Sequence, residues 1–195
     1  MYTTDAIILS SRPSGEADEL ISCYTKDFGK LAIKVKGAKK ITTKQGNFLH
    51  SFALVRLSFV LGRGGAICSG VTDIENYPHT NRDLYATGYV AAFLALCDTV
   101  CYDNQPDEAL WQLLTKVLRE AEEASSGNAQ DKNALLWHKE KIWLISLLDV
   151  WGIKPPHLSI EHATNKRQLD HYLQTLLQRK LERPISFFGL KVTPA

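Results

Sequence analysis

Nowhere in this sequence do apolar residues run for the ~18 to 20 positions that a bilayer-spanning helix needs. The first residues, Met1-Tyr-Thr-Thr-Asp5, carry neither the basic stretch nor the apolar core of a secretion signal, so a cytosolic chain is expected. Cysteine is sparse: Cys23, Cys68, Cys97 and Cys101, with no Cys-x-x-Cys pair. In a reducing compartment such residues read as small buried hydrophobes. Cys97 and Cys101 stand one helical turn apart. No further Cys or His lies at finger spacing, which favours two core thiols over two zinc ligands.

The signatures of nucleotide and acyl chemistry are missing too. Gly62-Arg-Gly-Gly65 is not followed by the Lys-Ser/Thr of a phosphate-binding loop, and Ile67 stands where a dinucleotide fingerprint has its last glycine. There is no Gly-x-Ser-x-Gly elbow. Glu16 and Asp18 form an acidic pair, but no base or nucleophile has a workable spacing to them. A turn whose carboxylates bond local amides is the commoner use of such a pair. No catalysis, no metal and no cofactor are expected.

What the chain does have is charge in blocks. The net charge of 195 residues is only +2. Residues 1–80 hold ten Lys and Arg against seven Asp and Glu, residues 81–131 three against nine, and residues 132–195 ten against five. Such segmentation points to anion-binding faces around an acidic middle. The densest basic stretch runs from Lys26 to Lys44, with seven lysines and one acid, Asp27.

Five short apolar or alternating runs surround that stretch: Asp5–Ser11, Leu20–Lys26, Lys30–Val35, Phe52–Leu61 and Ala66–Ile74. Their turns are rich in glycine, at Gly15, Gly29 and Gly62-Arg-Gly-Gly65. Residues 36–50 have little periodicity and read as a mobile loop. Five strands in so short a space predict a small antiparallel barrel of the OB type over residues 1–78. After Tyr77-Pro78 the period becomes helical. Asn81 or Asp83 can cap a helix through Tyr85, Tyr89, Phe93, Leu96 and Val100. Gln105-Pro106 opens a second, with Pro106 suited to the first turn. A third passes through Leu136, Trp143, Leu147 and Trp151 and ends at Gly152 and Pro155-Pro156. A fourth covers Gln168 to about Leu181. The expected architecture is α+β: a barrel, then a helical bundle over residues 79–195.

The basic edge reads as a groove for a polyanion, formed by Lys34, Lys36, Lys39, Lys40 and Lys44 with Arg12 and Arg63 from neighbouring turns. The bland alternative is a solvated loop that keeps the barrel soluble. Among aromatics, Tyr24, Phe28, Phe48, Phe52 and Phe59 could stack on bases or fill the core. Phe59 reads as core, and Phe48, inside the basic loop, as the stacking candidate.

The motifs Ser11-Arg-Pro13, Gly15-Glu16-x-Asp18, Tyr24-Thr25-x-x-x-Gly29-Lys30-Leu31 and Lys36-Gly37-Ala38-Lys39 occur in this order, followed by Phe52 and Gly62-Arg63-Gly64. In order and spacing they closely resemble the RecO family of bacterial recombination mediators. The resemblance implies a protein of DNA repair that binds and anneals single-stranded DNA through the barrel. It implies RecR and the acidic tail of the single-stranded DNA-binding protein as partners, with RecA loading as the indirect result. On that reading the tail would meet cations of the helical domain, for which Lys116, Arg119 and Lys132 are the candidates. Many members carry a four-cysteine zinc site after the third helix. Residues 156–171 hold no cysteine, and His157, Glu161, His162 and His171 are a weak substitute set. A zinc-less member with a short C-terminus is therefore expected. The rival readings are a scaffold whose basic loop docks an acidic protein, and binding of duplex DNA or RNA.

Overall fold

A computed structural model describes residues 1–38, 52–127 and 132–153, together with Arg167, Gln168 and His171. Five strands open the chain: β1 (Tyr2–Pro13), β2 (Glu19–Thr25), β3 (Gly29–Val35), β4 (Ala53–Gly62) and β5 (Gly65–Asn76). They close into a barrel in the order β1-β2-β3-β5-β4, the OB arrangement. All neighbours are antiparallel except β3 and β5, which run parallel through only Ile33↔Ala66 and Lys34↔Ile67. The sequence reading placed all five strands, and the structure extends β1 and β5 at both ends.

The period of two explains the faces. Along β2 and β3, Ile21, Cys23, Ile33 and Val35 point into the barrel and are buried, while Leu20, Lys30, Ala32 and Lys34 alternate outward. Along β4, Val55, Leu57 and Phe59 fill the interior, and Leu54 turns the other way. That outward set is not all solvated. Ile7, Leu9, Tyr24 and Leu54 join the core of the helices. Apolar burial of about 25 cal/mol per Å² thus continues across the junction between barrel and helices.

Among the residues described up to position 153, four helices follow: α1 (Pro78–Arg82), α2 (Leu84–Val100), α3 (Glu108–Ser126) and α4 (Lys132–Val150). Of the two capping candidates, Asp83 is the one that caps α2, accepting the amides of Tyr85 and Ala86 at 2.9 and 3.0 Å. Asn81 instead exchanges hydrogen bonds with the backbone of Phe52. Asp107 caps α3 by accepting the Leu110 amide, so Pro106 lies just outside the helix rather than in its first turn. Helix α4 ends at Gly152, whose φ of 66° allows the amides of Gly152 and Ile153 to bond back to Asp149 and Leu148. The fourth helix expected from Gln168 lies almost wholly outside the described residues. No helix among the described residues is long and apolar enough to cross a membrane.

Candidate nucleic-acid interface

Strand register carries cations to one end of the barrel. Arg12 stands opposite Leu20, Leu20 opposite Lys34, and Lys34 opposite Ile67. Residues directly opposite share a face. Because Ile21, Ile33 and Val35 point inward, this row lies on the outer surface, and Arg12 and Lys34 sit on it with β2 between them. The parallel β3–β5 contact also draws the β4–β5 hairpin to the β3 edge, with Arg63-Gly64 at its tip. Lys36 follows β3 directly and is exposed. Neither Arg12, Lys36 nor Arg63 makes an ion pair among the described residues.

Asp18 organises the start of the basic loop. Its Oδ1 accepts the Gly37 amide at 2.9 Å, and its Oδ2 lies 3.0 Å from the Lys34 ammonium. The Gly37 hydrogen bond, with Lys34 second, holds the Asp18 carboxyl below the ordinary carboxylate range. The carboxylate therefore ties the β1–β2 turn to the chain leaving β3, at the point where Gly37 adopts a φ of 67°. The amide it bonds is not a local one, as the sequence suggested, but that of Gly37 in another loop. Lys34 is thus partly neutralised in place, while Lys36 stays open. Lys39, Lys40, Lys44 and Phe48 lie outside the described residues.

Lys30 has a different task, one that no local pattern showed. Its ammonium donates to the Asp98 carbonyl at 2.5 Å and stands 3.6 Å from the carboxylates of Asp98 and Asp103. Asp98 also accepts Ser10 Oγ at 2.7 Å and Ser22 Oγ at 2.5 Å. Helix α2 is thereby bolted to the outer face of β1, β2 and β3, covering the middle of that face. Tyr24 belongs to the same seam. Its hydroxyl accepts the Asp107 amide at 2.8 Å and donates to the Gln105 carbonyl at 3.3 Å. Burial pushes its pKa up to about 12. Tyr24 is a fixed hydroxyl of the junction, and its ring is not offered for stacking.

Among the other aromatics, Phe59 is buried as expected, Phe28 is half-buried against it, and Phe52 packs on the helical core. Among the described rings of the barrel the exposed one is Tyr2, which no periodicity singled out. It stacks on Phe59 with centroids 5.4 Å apart and meets Phe28 edge-on at 5.7 Å.

The three helical cations are placed against acceptors of the same chain. Arg119 holds Glu75 of β5 through two guanidinium nitrogens. Lys132 donates to the Ser125 carbonyl at 2.7 Å, with Asp83 at 3.9 Å. Lys116 lies 3.9 Å from Glu120, one turn on, and remains the most open of the three in its bonding. The Cys97 and Cys101 thiols are buried in the helical core, and burial raises the Cys97 pKa. Among the described residues no three His, Cys, Asp or Glu side chains gather as a metal set. Of the histidine and glutamate set, only His171 is described.

Comparison with known proteins bears on the same region. Residues 1–77 match the family described as "Recombination protein O N terminal". A DNA repair protein RecO of Pelotomaculum thermopropionicum is 30% identical over 124 residues, 61% of this chain and 46% of its own length. Its counterpart in Listeria welshimeri is 27% identical over 156 residues, 80% of this chain and 57% of its own length. That of Geobacter metallireducens is 30% identical over 115 residues, 59% of this chain and 47% of its own. The chain thus spans about half the length of these curated relatives. The matched segment coincides with the barrel, and over it this chain is similar to the RecO family.

Proposed function

We propose that the barrel binds the phosphate backbone of single-stranded DNA and that the protein serves DNA repair as a recombination mediator. The observation that carries this reading is the outer row in which Arg12 and Lys34 share a face, continued by Lys36 into the basic loop. Lys39, Lys40 and Lys44 would prolong the same track. Cations at this density release counterions on binding, so affinity falls steeply with salt. Contacts to phosphate carry no base code, which suits strand annealing: two strands are neutralised while their bases stay free to pair. The relatives, each a DNA repair protein RecO, support the repair setting. RecR, the acidic tail of the single-stranded DNA-binding protein and, through them, RecA belong to this reading by family likeness. Of the three helical candidates, Lys116 has the loosest bonding and is left to meet an acidic tail.

Binding of labelled single- and double-stranded oligonucleotides at two salt concentrations tests the proposal. The Lys36→Ala/Lys39→Ala/Lys40→Ala variant should lose affinity and show a shallower salt slope. If neither changes, the groove is misplaced; if an acidic protein binds but no oligonucleotide does, the barrel is a protein scaffold instead.

A further inference from the structure

We infer that Tyr2 is a stacking seat for one unpaired nucleobase at a mouth of the barrel. The inference rests on the single-strand reading above and adds a base contact to it. Three elements meet at this mouth of the barrel: the start of β1, the β2–β3 turn and the end of β4. Tyr2 stands opposite Phe59 in the β1–β4 ladder. Its ring lies on the Phe59 ring at an interplanar angle of 23°, while Phe28 meets both rings edge-on, at 83° and 82°. Phe59 is only 3% exposed, so the ring beneath Tyr2 is part of the core and cannot swing away. Tyr2 itself is 43% exposed. Leu61, two residues beyond Phe59 and opposite Ala66 on the interior-facing side, is 65% exposed and diagonal to Tyr2. A rigid aromatic plane with an apolar neighbour is thus presented to solvent.

The segments next to it carry cations, which favours a nucleic acid. Lys26 and Arg63 extend from the two segments that supply Phe28 and Leu61, and neither makes an ion pair among the described residues. The acid of that turn, Asp27, is engaged by the Thr4 hydroxyl at 2.7 Å. An exposed aromatic ring whose neighbouring segments carry cations suits a nucleobase. Tyr2 is pre-ordered by the two phenylalanines, so little side-chain freedom is lost when a base stacks on it.

The test uses the full chain, with an oligothymidylate and a strand of equal length and charge whose bases are replaced by abasic sites. The wild type should prefer the strand with bases by about five- to a hundredfold, the usual range for one stacked base. Tyr2→Phe should keep that preference. Tyr2→Leu, which still covers Phe59, should lose most of it while the salt slope stays the same. Far-UV circular dichroism confirms that both variants fold. A wild type indifferent to the loss of bases, or a Tyr2→Leu variant with the full preference, overturns the inference and leaves backbone binding intact. A wild type that binds neither strand overturns both readings.

Discussion

The Arg119 guanidinium holds the Glu75 carboxylate across the junction of barrel and helices, with Nη2 2.9 Å from Oε2 and Nε 3.2 Å from Oε1. This hydrogen bond is the main reason that Glu75 titrates below its ordinary range. The two side chains are 58% and 35% exposed, so solvent screening keeps the pair weak, at about 0.5–1 kcal/mol.

The Glu75 shift fixes a sign. A carboxylate whose folded pKa lies below its unfolded value stabilises the fold above the unfolded value, about 4.3, and loses that contribution as pH falls through the folded one. Arg119→Ala should therefore lower the unfolding midpoint at neutral pH. The difference from the wild type should shrink on acidification below about pH 4.3. Denaturant titrations at neutral and acidic pH measure it. A gap that widens in acid would contradict the assignment.

Gly29 is the tightest point of the junction. Its φ is 69°, and a Cβ there would lie 2.3 Å from the backbone of Gln105. Alanine combines a left-handed conformation with a clash that only backbone movement relieves. Gly29→Ala should cost about 3 kcal/mol or more. Gly64→Ala, where a Cβ meets nothing within 4 Å, should stay within about 0.5 kcal/mol. Chemical unfolding of the two variants side by side decides whether the α2–α3 loop is packed this closely.

Asp98 anchors Ser10, Ser22 and Lys30 at once. Asp98→Ala removes the acceptor of two hydroxyls and one of the two carboxylates beside the Lys30 ammonium, which keeps the backbone carbonyl of residue 98 and Asp103. It should cost about 2–4 kcal/mol. Ser10→Ala removes one hydrogen bond and should cost about 1.5–3 kcal/mol or less, because the lost bond is to a charged group. Equal losses in the two variants would show that Asp98 does not act as the hub.

The lysines of β3 and its exit should separate in a salt titration. Lys36→Ala should reduce the slope of log affinity against log salt by about one, as for a phosphate contact. Lys30→Ala should leave the slope unchanged and lower stability, because its ammonium is held by Asp98 and Asp103. A slope that responds to Lys30 and not to Lys36 would reverse the assignment of the two.

Much of this fold is written in short-range pattern. The alternation of Val55, Leu57 and Phe59 with Leu54, Arg56 and Ser58 gives both the strand and its two faces, since side chains along a strand change sides at every residue. Asp83 ahead of an apolar helical run marks a cap because a short carboxylate reaches the free amides of the first turn. Even the barrel follows from five such strands and their glycine turns. Which lysine remains open to a ligand is another matter. Lys30, Lys34 and Lys36 lie on the same outward parity of one segment and look equivalent along the chain. Asp98, which occupies Lys30, is 68 residues away; Asp18, which pairs with Lys34, comes from the β1–β2 turn; Lys36 makes no ion pair among the described residues. Tyr24 and Tyr2 divide in the same way, one sealed by Gln105 and Asp107, the other left at the barrel mouth on Phe59. Periodicity acts between neighbours, so the sequence alone determined which side of a strand faces water. Only closure of the barrel and docking of α2 against it decided which outward side chains keep their charge or ring available, because their partners come from segments that meet only in the folded chain.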